Sequence, residues 1–206
     1  MIDSSYNRSI FINCPFDDEY WPLLQAVVFC VFECKYLPRS ALESSDSSQA
    51  RIEKIYEIIN ESQLGIHDIS RTELSQTYNL PRFNMPLELG IYLGAKRYGE
   101  GRHLDKSCLV LDRDPYRYRI FCSDISGQDI KSHEGDPLKV IRVVRNWLNS
   151  REREIRILSA SRIINHYESF QADIPRICAA LDLDDHELDY LDYCSVVSAW
   201  LGESSY

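Results

Sequence analysis

Ser9-Ile10-Phe11-Ile12-Asn13-Cys14-Pro15-Phe16-Asp17-Asp18 is the stretch from which the fold class follows. An apolar run ending in a proline and two aspartates suits a short strand buried on both faces and followed by a turn. Over 18–35, Trp21, Leu24, Val28, Val31 and Phe32 recur at helical spacing, and Asp17 or Asp18 can cap the start. The same units then repeat. Residues 37–42 are extended by Pro38, a polar segment follows over 43–48, and Ile52, Ile55, Tyr56 and Ile59 mark one face of a helix over about 49–61. Residues 63–69 read as a third buried strand and 70–83 as a polar loop, long enough to be functional or mobile. Ser107–Asp112 reads as a fourth strand, and 116–125 (YRYRIFCSDI) as a fifth, at an edge because of Arg117 and Arg119. Strands alternating with helices predict an α/β fold: a five-stranded parallel sheet in three layers, joined by right-handed crossovers.

Arg82-Phe83-Asn84-Met85-Pro86-Leu87-Glu88-Leu89-Gly90-Ile91-Tyr92-Leu93-Gly94 opens the helix between the third and fourth strands. Proline fits a first helical turn, and the residue before it is biased away from helix, so Pro86 is the expected first helical residue and Glu88 the third. That puts a carboxylate at a helix mouth. Gly90 and Gly94 each cost about 1 kcal/mol in a helix interior, which predicts close approach of another backbone. The pattern suits a capping glutamate first and a tightly held pocket acid second.

Near Asp136 the alternation stops, and helices are expected over 137–150, 156–170, 174–181 and 188–201. The division is an α/β domain over 1–132 and a helical C-terminal extension over 133–206. Residues 151–206 carry 11 acidic against 5 basic side chains, −6 of the net −9, and their aromatics Tyr167, Phe170, Tyr190, Tyr193 and Trp200 suit packing on the sheet domain or on a partner. The negative charge and the absence of any basic run argue against nucleic acid and against an anionic membrane surface as partners. No segment reads as a signal peptide or as the roughly eighteen apolar residues of a membrane span, so a cytoplasmic protein is expected. Seven scattered cysteines, mostly in apolar runs, read as reduced core thiols. The five histidines form no metal motif, and no P-loop, GxGxxG turn or GxSxG elbow is present. Cys14 is a nucleophile candidate without an evident base.

In parallel α/β sheets the ligand crevice lies beyond the carboxyl ends of the strands. Polar clusters from four parts of the chain, 14–17, 39–46, 68–71 and 82–88, converge there. Ile10–Asp17 resembles the first strand and loop of Toll/interleukin receptor (TIR) domains. Asn84-Met85-Pro86-Leu87-Glu88-Leu89-Gly90 resembles the N-x-x-x-E-L-G signature of bacterial TIR-like nucleotide-binding domains and, more loosely, the helix start of nucleoside 2-deoxyribosyltransferases. Gly65–Ser70 is similar to the third-strand hhDhS of the same groups. The resemblance covers about residues 8–125 and departs from the TIR pattern at Pro15, at the long 70–83 segment and at the helical tail. It implies a TIR- or flavodoxin-like sheet and an NAD⁺ N-glycosidase, hydrolase or cyclase, in bacterial stress or antiphage signalling. Glu88 would be its catalytic residue. NAD⁺ would be the substrate and no cofactor or metal would be needed. By the same resemblance Cys14, Phe16, Asp17, Arg39, Asp68, Ser70, Arg82 and Asn84 contact the nucleotide: Phe16 stacks on a base, Asp17 and Asp68 take ribose hydroxyls, and Arg39 or Arg82 pairs the pyrophosphate. Assembly as a homo-oligomer or with a defence partner is implied too. Two other functions fit the residues: an N-glycosidic hydrolase or deoxyribosyltransferase-like enzyme on nucleosides, and a non-catalytic nucleotide-sensing or assembly module.

Overall fold

The structure is a computed structural model that describes residues 4–44, 46–72, 74 and 79–203. In chain order its elements are α1 (Ser4–Arg8), β1 (Ser9–Asn13), α2 (Trp21–Glu33), β2 (Leu37–Arg39), α3 (Arg51–Glu61), β3 (Leu64–Asp68), α4 (Asn84–Tyr98), β4 (Ser107–Asp112), α5 (Tyr118–Phe121), β5 (Lys131–Ser132), α6 (Pro137–Arg151), α7 (Ala160–Leu181) and α8 (Tyr190–Glu203). The five strands form one parallel sheet in the order β2-β1-β3-β4-β5. This is the order of flavodoxin-like doubly wound sheets, and its connections reverse direction between β1 and β3.

Alternation along each strand feeds both layers. Ile10, Ile12, Leu64, Ile66, Leu109 and Leu111 pack with α2 and α6 on one face. On the other, Phe11 meets Ile55, Ile58 and Ile59 of α3 and Tyr92 of α4, while Val110 meets Met85 and Leu89. The helix α2 is apolar on nearly every side, the pattern of a helix enclosed by others. The tail encloses it: Phe29 stacks on Phe170 with ring centres 5.0 Å apart and meets Tyr167 and Trp200 at 5.3 and 5.9 Å. The Tyr193 hydroxyl also donates to the Gln25 carbonyl at 3.1 Å. Residues on both sides of position 133 therefore share one core. Among the described residues no helix is long and apolar enough to cross a membrane.

Four local expectations are corrected. The fifth strand is Lys131–Ser132, and 116–125 instead turns through α5 and a short 3-10 helix at Ser123–Ile125. The reason is Arg117, which folds back to donate to Asp112, to Thr72 Oγ1 at 2.8 Å and to the Ser70 carbonyl; Tyr116 supplies the reversal with φ of 63°. Second, 156–170 and 174–181 form a single helix, α7, with Pro175 inside it. A proline there costs about 3 kcal/mol, but Phe170 before it and Ile177 and Cys178 after it enter the same core, and that burial outweighs the loss.

Third, α4 starts at Asn84, so Pro86 is the third helical residue and Glu88 the fifth, one turn inside the mouth. The first amides of a helix have no intrahelical acceptor, so Pro86 loses nothing at that position. Met85 stays helical before proline because its side chain is buried against the sheet. Fourth, a Cβ at Gly90 or Gly94 would meet nothing within 4 Å, so no backbone among the described residues approaches there, and nothing in their packing explains these glycines. In the 70–83 segment, Glu73 and 75–78 lie outside the described residues, and with them the expectation of a mobile loop.

Candidate functional site at the β1/β3 switch point

Where the topology reverses, the ends of β1 and β3 meet the first turn of α4. Asn13, the last residue of β1, donates through Nδ2 to the Met85 carbonyl at 2.9 Å and contacts His67 Nδ1 at 3.1 Å. That contact makes Nδ1 the acceptor, so the ring proton sits on Nε2. Burial, with Lys106 adding to it, pushes the His67 pKa down to about 3, so the ring is neutral. The ring lies over Gly65: a Cβ there would stand 2.6 Å from His67 Nε2 and 3.1 Å from the Tyr92 ring. Here glycine is required by close approach. One amide thus ties a strand end to the helix carrying Glu88.

Asp68, at the end of β3, is fully buried and fully engaged. Tyr20 Oη donates to its Oδ2 at 2.6 Å and the Ser70 amide to its Oδ1 at 2.8 Å. His133 Nε2 stands 3.0 Å from Oδ2, at ion-pair distance but off the line of a hydrogen bond. The Gly135 amide donates to His133 Nδ1 at 3.0 Å, which leaves the proton on Nε2, toward Asp68. Burial alone would raise the Asp68 pKa, yet His133, Ser70 and Tyr20 outweigh it and hold the carboxyl below its usual value.

Glu88 differs. Only 4% exposed, it has no hydrogen-bond or ion-pair partner among the described residues. Burial raises its pKa to about 7, opposed among the described residues by Arg51, the first residue of α3. The Arg51 guanidinium also stands over the Phe16 ring at 5.2 Å. Arg51 makes no ion pair among the described residues and remains open to an anion. Sequence reading missed it; its signal was its place in the first turn of a helix opening at the crevice edge. Cys14 is buried, and burial together with Asp68, Glu88 and Asp17 pushes its pKa well up, so it is a thiol and not a nucleophile.

The remaining candidates divide by what already holds them. Asp17 accepts from the Tyr20 amide at 3.1 Å and from Arg71 Nη2 at 3.0 Å, so it shapes the turn into α2. Arg39 is held by Glu43 at 2.9 Å and Glu61 at 3.2 Å. Ser70 gives its amide to Asp68 and its carbonyl to Arg117. Arg82 and Asn84 are exposed at the start of α4. The structure thus gathers Cys14, Phe16, Glu88 and the unanticipated Arg51; it commits Asp17, Arg39, Asp68 and Ser70 to the scaffold.

Two clefts lined by described residues open nearby, and Glu88 lines neither. One, of about 260 Å³, runs past Tyr20, Ser70 and His133. The other, of about 510 Å³, lies between Phe16 and the start of α8. A recess of about 490 Å³ between β4 and α6 is far from this chemistry, bounded by Cys108, Trp147 and Ser150. Compared with protein-family models, curated proteins and solved structures, the chain matches none. The case for function therefore rests on the site.

Proposed function

We propose that this chain is a TIR-like N-glycosidase that cleaves or cyclises NAD⁺ at the nicotinamide–ribose bond, with Glu88 stabilising the cation that forms at C1′. The observation that carries this reading is Glu88 itself: a buried carboxyl that finds no partner among the described residues, at the switch point of a doubly wound sheet. Buried polar groups are nearly always satisfied, and perturbed carboxyls in crevices mark functional sites. With a pKa near 7, the resting side chain is about half protonated at neutral pH. An arriving pyridinium cation draws it to the ionised form, and the oxocarbenium character of the breaking bond holds it there. Nicotinamide leaves as a neutral molecule, so no acid is needed. Arg51 is placed to meet a phosphate, and Phe16 offers a flat ring.

Glu88→Gln is expected to lower nicotinamide release from NAD⁺ by roughly 10²-fold or more while nucleotide binding persists, since a positioned charge is lost and the shape kept. In the parent, kcat/KM should rise with pH through about 7, because the carboxylate is the active form. Parent-like turnover by Glu88→Gln would remove Glu88 from the mechanism.

The same raised pKa favours one second reading, in which protonated Glu88 hands its proton to a departing nucleobase of a nucleoside. That reaction would fall as pH rises through about 7, the opposite limb, and would release free base from a deoxynucleoside.

A further inference from the structure

We propose that the cleft between the β1–α2 turn and the start of α8 is a subsite for a planar heteroaromatic cation, assembled in part by the helical tail. Its volume of about 510 Å³ is ample for a single ring with its substituents. Phe16, Trp21 and Tyr190 line it, and aromatic faces carry the negative side of the ring quadrupole. Asp18, Glu187 and Asp189 line it too. Asp189 is occupied in capping α8, accepting from the Asp192 amide at 2.9 Å, whereas Asp18 and Glu187 have no cationic partner among the described residues. His186 at the rim lies 3.7 Å from Asp185, which keeps it near an acid of its own.

A second, independent feature points to a ligand. Tyr190 is 4% exposed, yet among the described residues its hydroxyl finds no nitrogen or oxygen to bond; the weakly polar Cys194 thiol is its neighbour, with the Glu43 carboxylate and the Cys14 thiol in its surroundings. A buried hydroxyl with only a thiol beside it forgoes up to about 1–3 kcal/mol, and a ligand's carboxamide would satisfy it. Carboxylates at the rim and aromatic walls disfavour phosphate and favour a flat cation. Phe16 connects this cleft to the switch point, since its ring carries Arg51, the charge that opposes the burial of Glu88. If NAD⁺ is the substrate, as proposed above, the cleft would distinguish the oxidised, cationic ring from the neutral dihydro form.

The test uses the full chain and two small probes, 1-methylnicotinamide, a cation, and nicotinamide, its neutral counterpart, with tryptophan fluorescence as readout. The cation should bind at least about tenfold tighter, as desolvated cation–π contact and two carboxylates would give. Trp21→Phe should remove most of the quenching. Asp18→Asn with Glu187→Gln should abolish the preference without changing the melting temperature, since both side chains are exposed. Equal affinity for the two probes, or a cation preference that survives the double variant, would overturn the proposal. Glu88→Gln should still bind the cation. Cation binding in a protein that does not turn over NAD⁺ would keep the subsite and sink the catalytic reading; NAD⁺ turnover without any cation preference would do the reverse.

Discussion

Two carboxyls sit at the carboxyl edge of the same sheet, and their surroundings differ. Asp68 receives Tyr20, the Ser70 amide and His133; Glu88 receives no hydrogen bond among the described residues, and Arg51 opposes its burial. Both are buried to within a few per cent of their surface. Burial by itself therefore does not fix a carboxyl's charge; the donors that burial brings with it do. Asp68 is a joint of the scaffold, linking β3 to α2 and to the chain entering α6. Glu88 stores unfavourable electrostatics, which natural folds retain where a ligand will relieve it.

The largest effect should come from breaking the satisfied carboxyl. Asp68→Asn puts an amide N–H₂ where donors converge, and disrupting a buried, engaged charge costs about 3–5 kcal/mol, readable as a lowered midpoint in urea. A loss below about 1 kcal/mol would mean that Asp68 and Glu88 are not different in kind.

The next effect has the opposite sign. The folded pKa of Glu88 lies above its ordinary 4.5, so the folded state holds the proton more tightly, and stability is lost as pH rises from 4.5 to about 7. For Asp68 the folded pKa is lowered, so its contribution is present above its ordinary 3.8 and is lost as pH falls through the folded value. Glu88→Gln should accordingly be more stable than the parent at pH 8, by on the order of 2 kcal/mol, and the gain should fade below pH 5. Equal melting temperatures at both pH values would show that Glu88 is satisfied after all. Loss of turnover together with a gain in stability is the signature of a residue kept for function.

The smallest effect lies at the exposed mouth of α4. Arg82→Ala should change stability by less than about 0.5 kcal/mol, because the side chain is exposed. Any sizeable loss of nucleotide affinity would then come from the ligand alone, and unchanged affinity would drop Arg82 from the site in favour of Arg51.

Much of the fold could be read locally. The apolar runs at 9–13, 64–68 and 107–112 were visible as strands, and the spacing of Trp21, Leu24, Val28 and Val31 marked α2, because burial writes a period into the chain. β5 was not visible: it has two residues and no apolar signal. The continuity of α7 through Pro175 was hidden for the opposite reason, since local propensity forbids what the shared core enforces.

For the site, sequence alone supplied the placement of Glu88 and of the polar clusters near the strand ends, through helix and strand order. It also supplied the acidic, aromatic tail and the free thiols. It could not separate Glu88 from Asp68. Asp68 draws its donors from Tyr20 and Ser70 and its close imidazole from His133, residues 48, 2 and 65 positions away, and a carboxyl's charge depends on which such groups lie within about 3 Å. Only the tertiary structure decides that, because hydrogen bonding and desolvation act through space and leave no period in the chain.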